Sequence, residues 1–168
     1  MIPIVMIGLS IILDGLLTNY LPYLVNSLSY FTPMMTQICL FLVCYFYKKN
    51  KKDYLILCLI SGIIYDWLYS PFIIFYGIIF LAIGIFSKYI FDNYEISYIK
   101  LLFYNILIIT IYETLVFLII IFFNLVNVNL YNLFYKIIHS LILNLIYGQV
   151  LYFIIEKIPK KYNKININ

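Results

Sequence analysis

Membrane-spanning character is plainest in Asp53–Phe91, which reads DYLILCLISGIIYDWLYSPFIIFYGIIFLAIGIFSKYIF. This stretch consists of two apolar runs that meet at Ser70 and Pro71, and each is close to the ~20 residues that cross a hydrocarbon layer of ~30 Å. A serine oxygen can cap a helix N-terminus, and proline suits the first helical position because no N–H is needed there. The stretch therefore predicts a tight transmembrane hairpin whose second helix begins at this pair, with no room for a loop.

An acidic residue, Asp66, lies inside the first arm of this hairpin. Cys58, Gly62, Asp66 and Ser70 recur at every fourth position, so they share one face of a helix. A carboxyl group in a bilayer is costly and is expected to face protein or water. We therefore expect the remaining helices to pack against this face.

The composition of the whole chain agrees with a membrane location. The chain has 168 residues, of which 65% are hydrophobic, and its mean hydropathy is +1.03. A soluble domain could not bury so much apolar surface, so an integral membrane protein in contact with the bilayer is predicted. The basic residues are all lysine, and without arginine nothing favours nucleic-acid binding.

Six apolar segments predict an all-α, polytopic bundle of six transmembrane helices in a single domain. The predicted spans are about residues 2–20, 30–47, 54–69, 71–91, 101–123 and 133–155. Lysine-rich loops are retained in the cytoplasm, and KKNKK at 48–52 is such a loop. Both termini, including a short basic tail at 158–168, are then cytoplasmic, and every lysine except Lys136 lies on that side.

Ionisable residues occur within four of the predicted spans, namely Asp14, Asp66, Glu113 and His139. At a rise of ~1.5 Å per residue they reach similar depths, roughly 18–21 Å from the cytoplasmic side. Two interpretations stay open. The residues form a structural polar layer that fixes helix packing, or they form a substrate, proton or ion site, as intramembrane ionisable residues often do.

The last predicted span carries a further face of small and polar residues. Ser140, Asn144 and Gly148 recur at every fourth position, a pattern typical of helix packing in membranes. The sequence has no catalytic constellation, no metal-ligand spacing and no glycine-rich phosphate loop. We therefore expect no enzyme, no metal site and no cofactor.

These residues resemble a known family. The run from Gly62 to Asp66, followed by Pro71 and Gly77, is similar to the central hairpin of MreD, the family of rod shape-determining membrane proteins. Thr32 and Pro33 at the second span, and Asn144 in a Leu-Ile-Leu-Asn-Leu run, resemble that family too.

Two positions depart from the pattern of the MreD family. MreD-like hairpins usually carry a glycine just after the turn, where this chain has Phe72 and Ile73. They also tend to have a proline about five residues before the asparagine of the last helix, where this chain has His139.

The resemblance implies a non-enzymatic scaffold of the bacterial cell-elongation machinery, which synthesises peptidoglycan in rod-shaped cells. Its expected location is the bacterial cytoplasmic membrane. Its expected partners are an MreC-like single-span protein and the complex of MreB, RodA and a class B penicillin-binding protein. The fold of this family is similar to that of the substrate-binding subunits of energy-coupling-factor transporters. A subunit that binds a vitamin or metal is therefore the alternative, although Ile2–Tyr20 lacks the alanines with which such subunits often dock.

Overall fold

The computed structural model describes residues 2–20, 31–47, 50–70, 74–94, 97–123 and 129–157. Within those ranges the chain is all-helical, with no strand. The helices are α1 (Ile2–Tyr20), α2 (Met35–Val43, continued by a 3-10 turn over Cys44–Tyr47), α3 (Lys51–Tyr69), α4 (Phe75–Asn93), α5 (Tyr98–Phe122) and α6 (Leu130–Lys157). The predicted all-α class with six helices is confirmed for these residues. Pro71 and the predicted tail 158–168 lie outside them.

Four helices, α1, α4, α5 and α6, are long and apolar enough to cross a membrane. α3 is as long as α1, at 19 residues. It is more polar because it begins with Lys51, Lys52 and Asp53. α2 with its 3-10 turn forms a shorter apolar helix, Met35–Tyr47. Helix length and composition therefore indicate a membrane protein, while six complete crossings stay a prediction.

The short helix α2 lies at the centre of the molecule. It packs against α1, α4, α5 and α6, and all nine of its residues are buried. The other extensive contacts join α3 to α4 and α5 to α6. Four of the other five described helices thus pack around α2, and α3 is joined to this group mainly through α4.

Two predicted helix starts were wrong. The second span was predicted from about residue 30, but residues 31–34 are non-helical and α2 begins at Met35. The fourth was predicted to begin directly at Ser70 and Pro71, but Ser70 is extended and its N–H donates to the Asp66 carbonyl at 2.9 Å. Ser70 therefore ends α3, and α4 begins only at Phe75.

The residue before α4 has an unusual backbone conformation. Ile74 has a φ of 79° and lies in the left-handed region. A β-branched side chain is rarely found there because its branches crowd the backbone, whereas glycine fits without strain. The residue that leads into α4 therefore has a strained backbone conformation.

Candidate functional site

Asp14 of α1 supplies the cap that the N-terminus of α2 lacks. The residue before α2, Met34, has no side-chain oxygen, so the first amide groups of the helix need acceptors from elsewhere. One carboxylate oxygen of Asp14 accepts the Met35 N–H at 2.8 Å. The other accepts the Thr36 N–H at 3.0 Å and the Thr36 hydroxyl at 2.6 Å. A carboxylate in this place is also favoured by the positive end of the helix dipole.

Two side chains of α6 bind the non-helical residues that lead into α2. The Asn144 carbonyl oxygen accepts the Met34 N–H at 2.9 Å, and its NH₂ group donates to the Thr32 carbonyl at 2.8 Å. The Ser140 hydroxyl accepts the Thr32 N–H at 2.9 Å. Non-helical backbone at membrane depth is tolerated only where protein satisfies its polar groups. Asp14, Ser140 and Asn144 do so here, and we call these three residues the α2 cap cluster.

Asp66 repeats this arrangement between α3 and α4. Ile74, at the start of α4, offers no capping side chain either. The two Asp66 oxygens accept the Tyr76 N–H at 3.0 Å and the Gly77 N–H at 3.1 Å. Asp66 is 1% exposed. Both buried aspartates are therefore helix caps supplied by the preceding helix.

The approach of α3 to α4 depends on Gly62, one turn before Asp66. A Cβ atom on Gly62 would lie only 2.6 Å from the Gly77 Cα and from the Tyr76 carbonyl oxygen. The absence of a side chain at this position lets the two backbones come close enough for Asp66 to reach its donors. The sequence places Gly62 on the face against which other helices are expected to pack, and Gly62 lies at this contact with α4.

Glu113 of α5 is paired differently from the two aspartates. It is 1% exposed, and its Oε2 lies 3.4 Å from the Lys136 Nζ of α6. Its Oε1 has no hydrogen-bond partner among the described residues. Both side chains line a cleft of about 30 Å³ between α5 and α6, which is room for one or two water molecules.

His139 does not share the burial of the three acids. Its side chain is exposed on α6, its Nδ1 lies 2.8 Å from the Tyr135 carbonyl oxygen, and its ring centroid is 3.9 Å from that of Tyr135. The predicted set of four ionisable residues therefore separates into three buried acids, each with its own partners, and one exposed histidine.

The sequence reasoning missed three amide groups whose polar atoms are buried without a partner among the described residues, those of Gln37, Asn105 and Gln149. Gln37 of α2 and Asn105 of α5 are fully buried, and neither amide group finds a hydrogen-bond partner among the described residues. Asn105 packs on Gly148 of α6, where an added Cβ would meet its Nδ2 at 2.3 Å. The sequence signal that could have identified them is an amide side chain inside a predicted apolar helix.

In the part of the chain that the structure describes, the buried polar side chains that form hydrogen bonds mainly cap helix ends or join neighbouring helices. No three His, Cys, Asp or Glu side chains are grouped there as they would be to hold a metal ion. Comparison with known proteins adds no relative: no protein-family model matches the chain, and no curated protein or solved structure matches it significantly.

Proposed function

We propose that this chain is an MreD-like, non-enzymatic scaffold of the cell-elongation machinery in a bacterial cytoplasmic membrane. One observation carries the proposal: the carboxylate oxygens of both buried aspartates already accept hydrogen bonds from the protein's own backbone. Asp14 accepts two N–H groups and a hydroxyl, and Asp66 accepts two N–H groups. Buried polar groups that bind the backbone stabilise the fold and are not free to bind a substrate. The outer surface is then the part of the protein that binds partners.

The same contacts weigh against a substrate site at these positions. Helix N-termini are natural anion sites, and in many transporters the N-termini of broken helices point at the substrate. In this chain the N-termini of α2 and α4 are filled by Asp14 and Asp66. The cleft beside Glu113, about 30 Å³, is also far smaller than the ~300–1,000 Å³ of an ordinary ligand pocket.

A scaffold acts through its contacts with other proteins. We propose an MreC-like single-span protein as the direct partner, and the complex of MreB, RodA and a class B penicillin-binding protein as the wider assembly. The apolar side chains exposed on α1 and α6, among them Ile4, Ile12, Ile138 and Ile142, are compatible with contact to lipid and with a single partner helix.

One observation favours the alternative, a substrate-binding subunit of an energy-coupling-factor transporter. Binding sites for small molecules combine an apolar lining with a few enclosed polar groups. The buried amides of Gln37 and Asn105, without partners among the described residues, are groups of that kind.

The two functions separate in one set of measurements. Depletion of a scaffold should round the rods while vitamin uptake stays normal, and the purified protein should retain a single-span partner. A true vitamin or metal ligand, at a thousandfold excess over its Kd, should add about 4 kcal/mol of stability. We expect no such shift from a panel of vitamins and metals. A clear shift with one of them, without a co-purifying partner, would contradict the scaffold.

A variant at Gln37 sharpens this test. Gln37→Met keeps the length of the side chain and removes the buried amide, whose lack of a partner costs about 1–3 kcal/mol. In a scaffold it should keep rod shape and be at least as stable as the parent. A well-folded Gln37→Met protein that no longer supports function would favour the ligand site.

A further inference from the structure

Among the described residues, the cleft between α5 and α6 is the place where a buried acidic oxygen without a hydrogen-bond partner faces an opening. The Oε1 of Glu113 lines it and accepts no hydrogen bond from any described residue. Lys136 stands beside it with a quarter of its side chain exposed. The rest of the lining is mainly apolar and consists of Val116, Phe117, Ile120, Asn132 and Leu133.

The chemistry of the cleft specifies its ligand. Glu113 Oε1 meets no donor at hydrogen-bonding geometry among the described residues, although the Thr32 hydroxyl interacts with the same carboxyl group. The Lys136 ammonium has three donors, of which its contact with Glu113 Oε2 uses one. A ligand that matches both groups carries an N–H donor with positive charge and, beside it, an anionic oxygen. The small volume admits an ammonium group more readily than a bulky one.

The position of the cleft points to a lipid. α5 has 25 residues and α6 has 28, so they are about 38 and 42 Å long and exceed a hydrocarbon layer of ~30 Å. Lys136 lies six residues from the start of α6, only about 9 Å along the helix axis. The cleft is thus near one membrane surface, where lipid headgroups meet acyl chains.

We propose that this cleft takes up the ammonium group of a phosphatidylethanolamine-type lipid, while the rest of the lipid stays outside it. The ammonium donates to Glu113 Oε1, the phosphate at the mouth of the cleft accepts from Lys136, and the acyl chains lie against the apolar surface around it. This proposal is independent of the scaffold function. It also predicts selectivity, because a choline headgroup has no N–H to donate and a glycerol headgroup has no positive charge.

The test uses the purified full chain in detergent, with phosphatidylethanolamine, phosphatidylcholine or phosphatidylglycerol of identical acyl chains added. Bound lipid is counted by native mass spectrometry and the unfolding temperature is measured in parallel. We expect phosphatidylethanolamine to bind at least tenfold more tightly than the other two lipids. Soluble phosphorylethanolamine, which lacks the acyl chains, should neither bind nor stabilise.

Variants connect the effect to the cleft. Glu113→Gln and Lys136→Gln should each lose the preference for phosphatidylethanolamine. Glu156→Gln, a matched change at an exposed glutamate near the other end of α6, should retain it. If Glu113→Gln does not fold, Lys136→Gln still tests the proposal, because Lys136 is partly exposed and its replacement should be tolerated.

Three results would overturn the proposal. The first is equal binding of the three lipids by the parent protein, and the second is a preference that survives in both cleft variants. The third is loss of a co-purifying protein partner in Glu113→Gln with lipid binding unchanged, which would assign the cleft to that partner.

Discussion

At the scale of single residues, the two buried aspartates do the work that local capping residues do in most helices. Asp14 and Asp66 lie one helix earlier in the chain than the amide groups that they cap. Their positions inside apolar runs predict that they face protein or water and not lipid. Their roles could not be predicted, because Met34 and Ile74, which precede the capped helices, do not mark a helix start in the sequence.

The strained residue before α4 gives a prediction at this scale. Ile74→Gly removes a β-branched side chain from the left-handed region and should stabilise the protein by about 1 kcal/mol. The matched control is Ile78→Gly, an exposed position inside α4, which should destabilise by about 1 kcal/mol. Thermal unfolding of both variants in detergent measures the difference. If Ile74→Gly loses as much stability as the control, the left-handed conformation is not a source of strain.

At the scale of helices, the sequence predicts where apolar segments lie better than where helices start. The bounds of α1 and the end of α3 at Tyr69 coincide with the predicted ones, because apolar length and a proline soon after each helix, Pro22 and Pro71, mark them in the sequence. α2 starts at Met35, later than predicted, because its first turn is fixed by the α2 cap cluster from distant parts of the chain. A local pattern does not contain that information.

The close contact between α3 and α4 gives a prediction for these helices. Gly62→Ala would place a Cβ 2.6 Å from the backbone of α4, so the helices must separate and the Asp66 hydrogen bonds must lengthen. We expect a loss of about 1–3 kcal/mol, typical of overpacking. Gly8→Ala in α1, where an added Cβ meets nothing within 4 Å, is the control and should be neutral or slightly stabilising. Equal thermal stability of the two variants would contradict the close approach.

At the scale of the whole molecule, buried polar groups hold a short central helix in place within an apolar bundle. α1 and α6 both bind the start of α2, so helices distant in sequence are fixed to one another through it. The apolar exterior suits lipid, and the lysine distribution predicts cytoplasmic termini. Composition alone predicted the membrane class. The centre of the bundle could not be predicted, because α2 is no more apolar than its neighbours.

We infer that the two buried aspartates, Asp14 and Asp66, act as helix caps and not as charges that bind a substrate or a proton. Asp66→Asn keeps an oxygen that can accept one of the two amide groups, whereas Asp66→Leu leaves both without an acceptor. Each buried group without a partner costs about 1–3 kcal/mol. Asp53, exposed in the first turn of α3, provides matched Asn and Leu controls.

The decisive measurement is thermal stability and rod-shape complementation, determined together for Asp66→Asn, Asp66→Leu and the Asp53 controls. For the proposed scaffold, we expect Asp66→Asn to keep rod shape with a modest loss of stability. Asp66→Leu should lose at least about 2 kcal/mol and fail to restore shape, while both Asp53 variants behave as the parent. A well-folded Asp66→Asn protein that cannot restore rod shape would show that the charge itself is required and would contradict the capping role of Asp66.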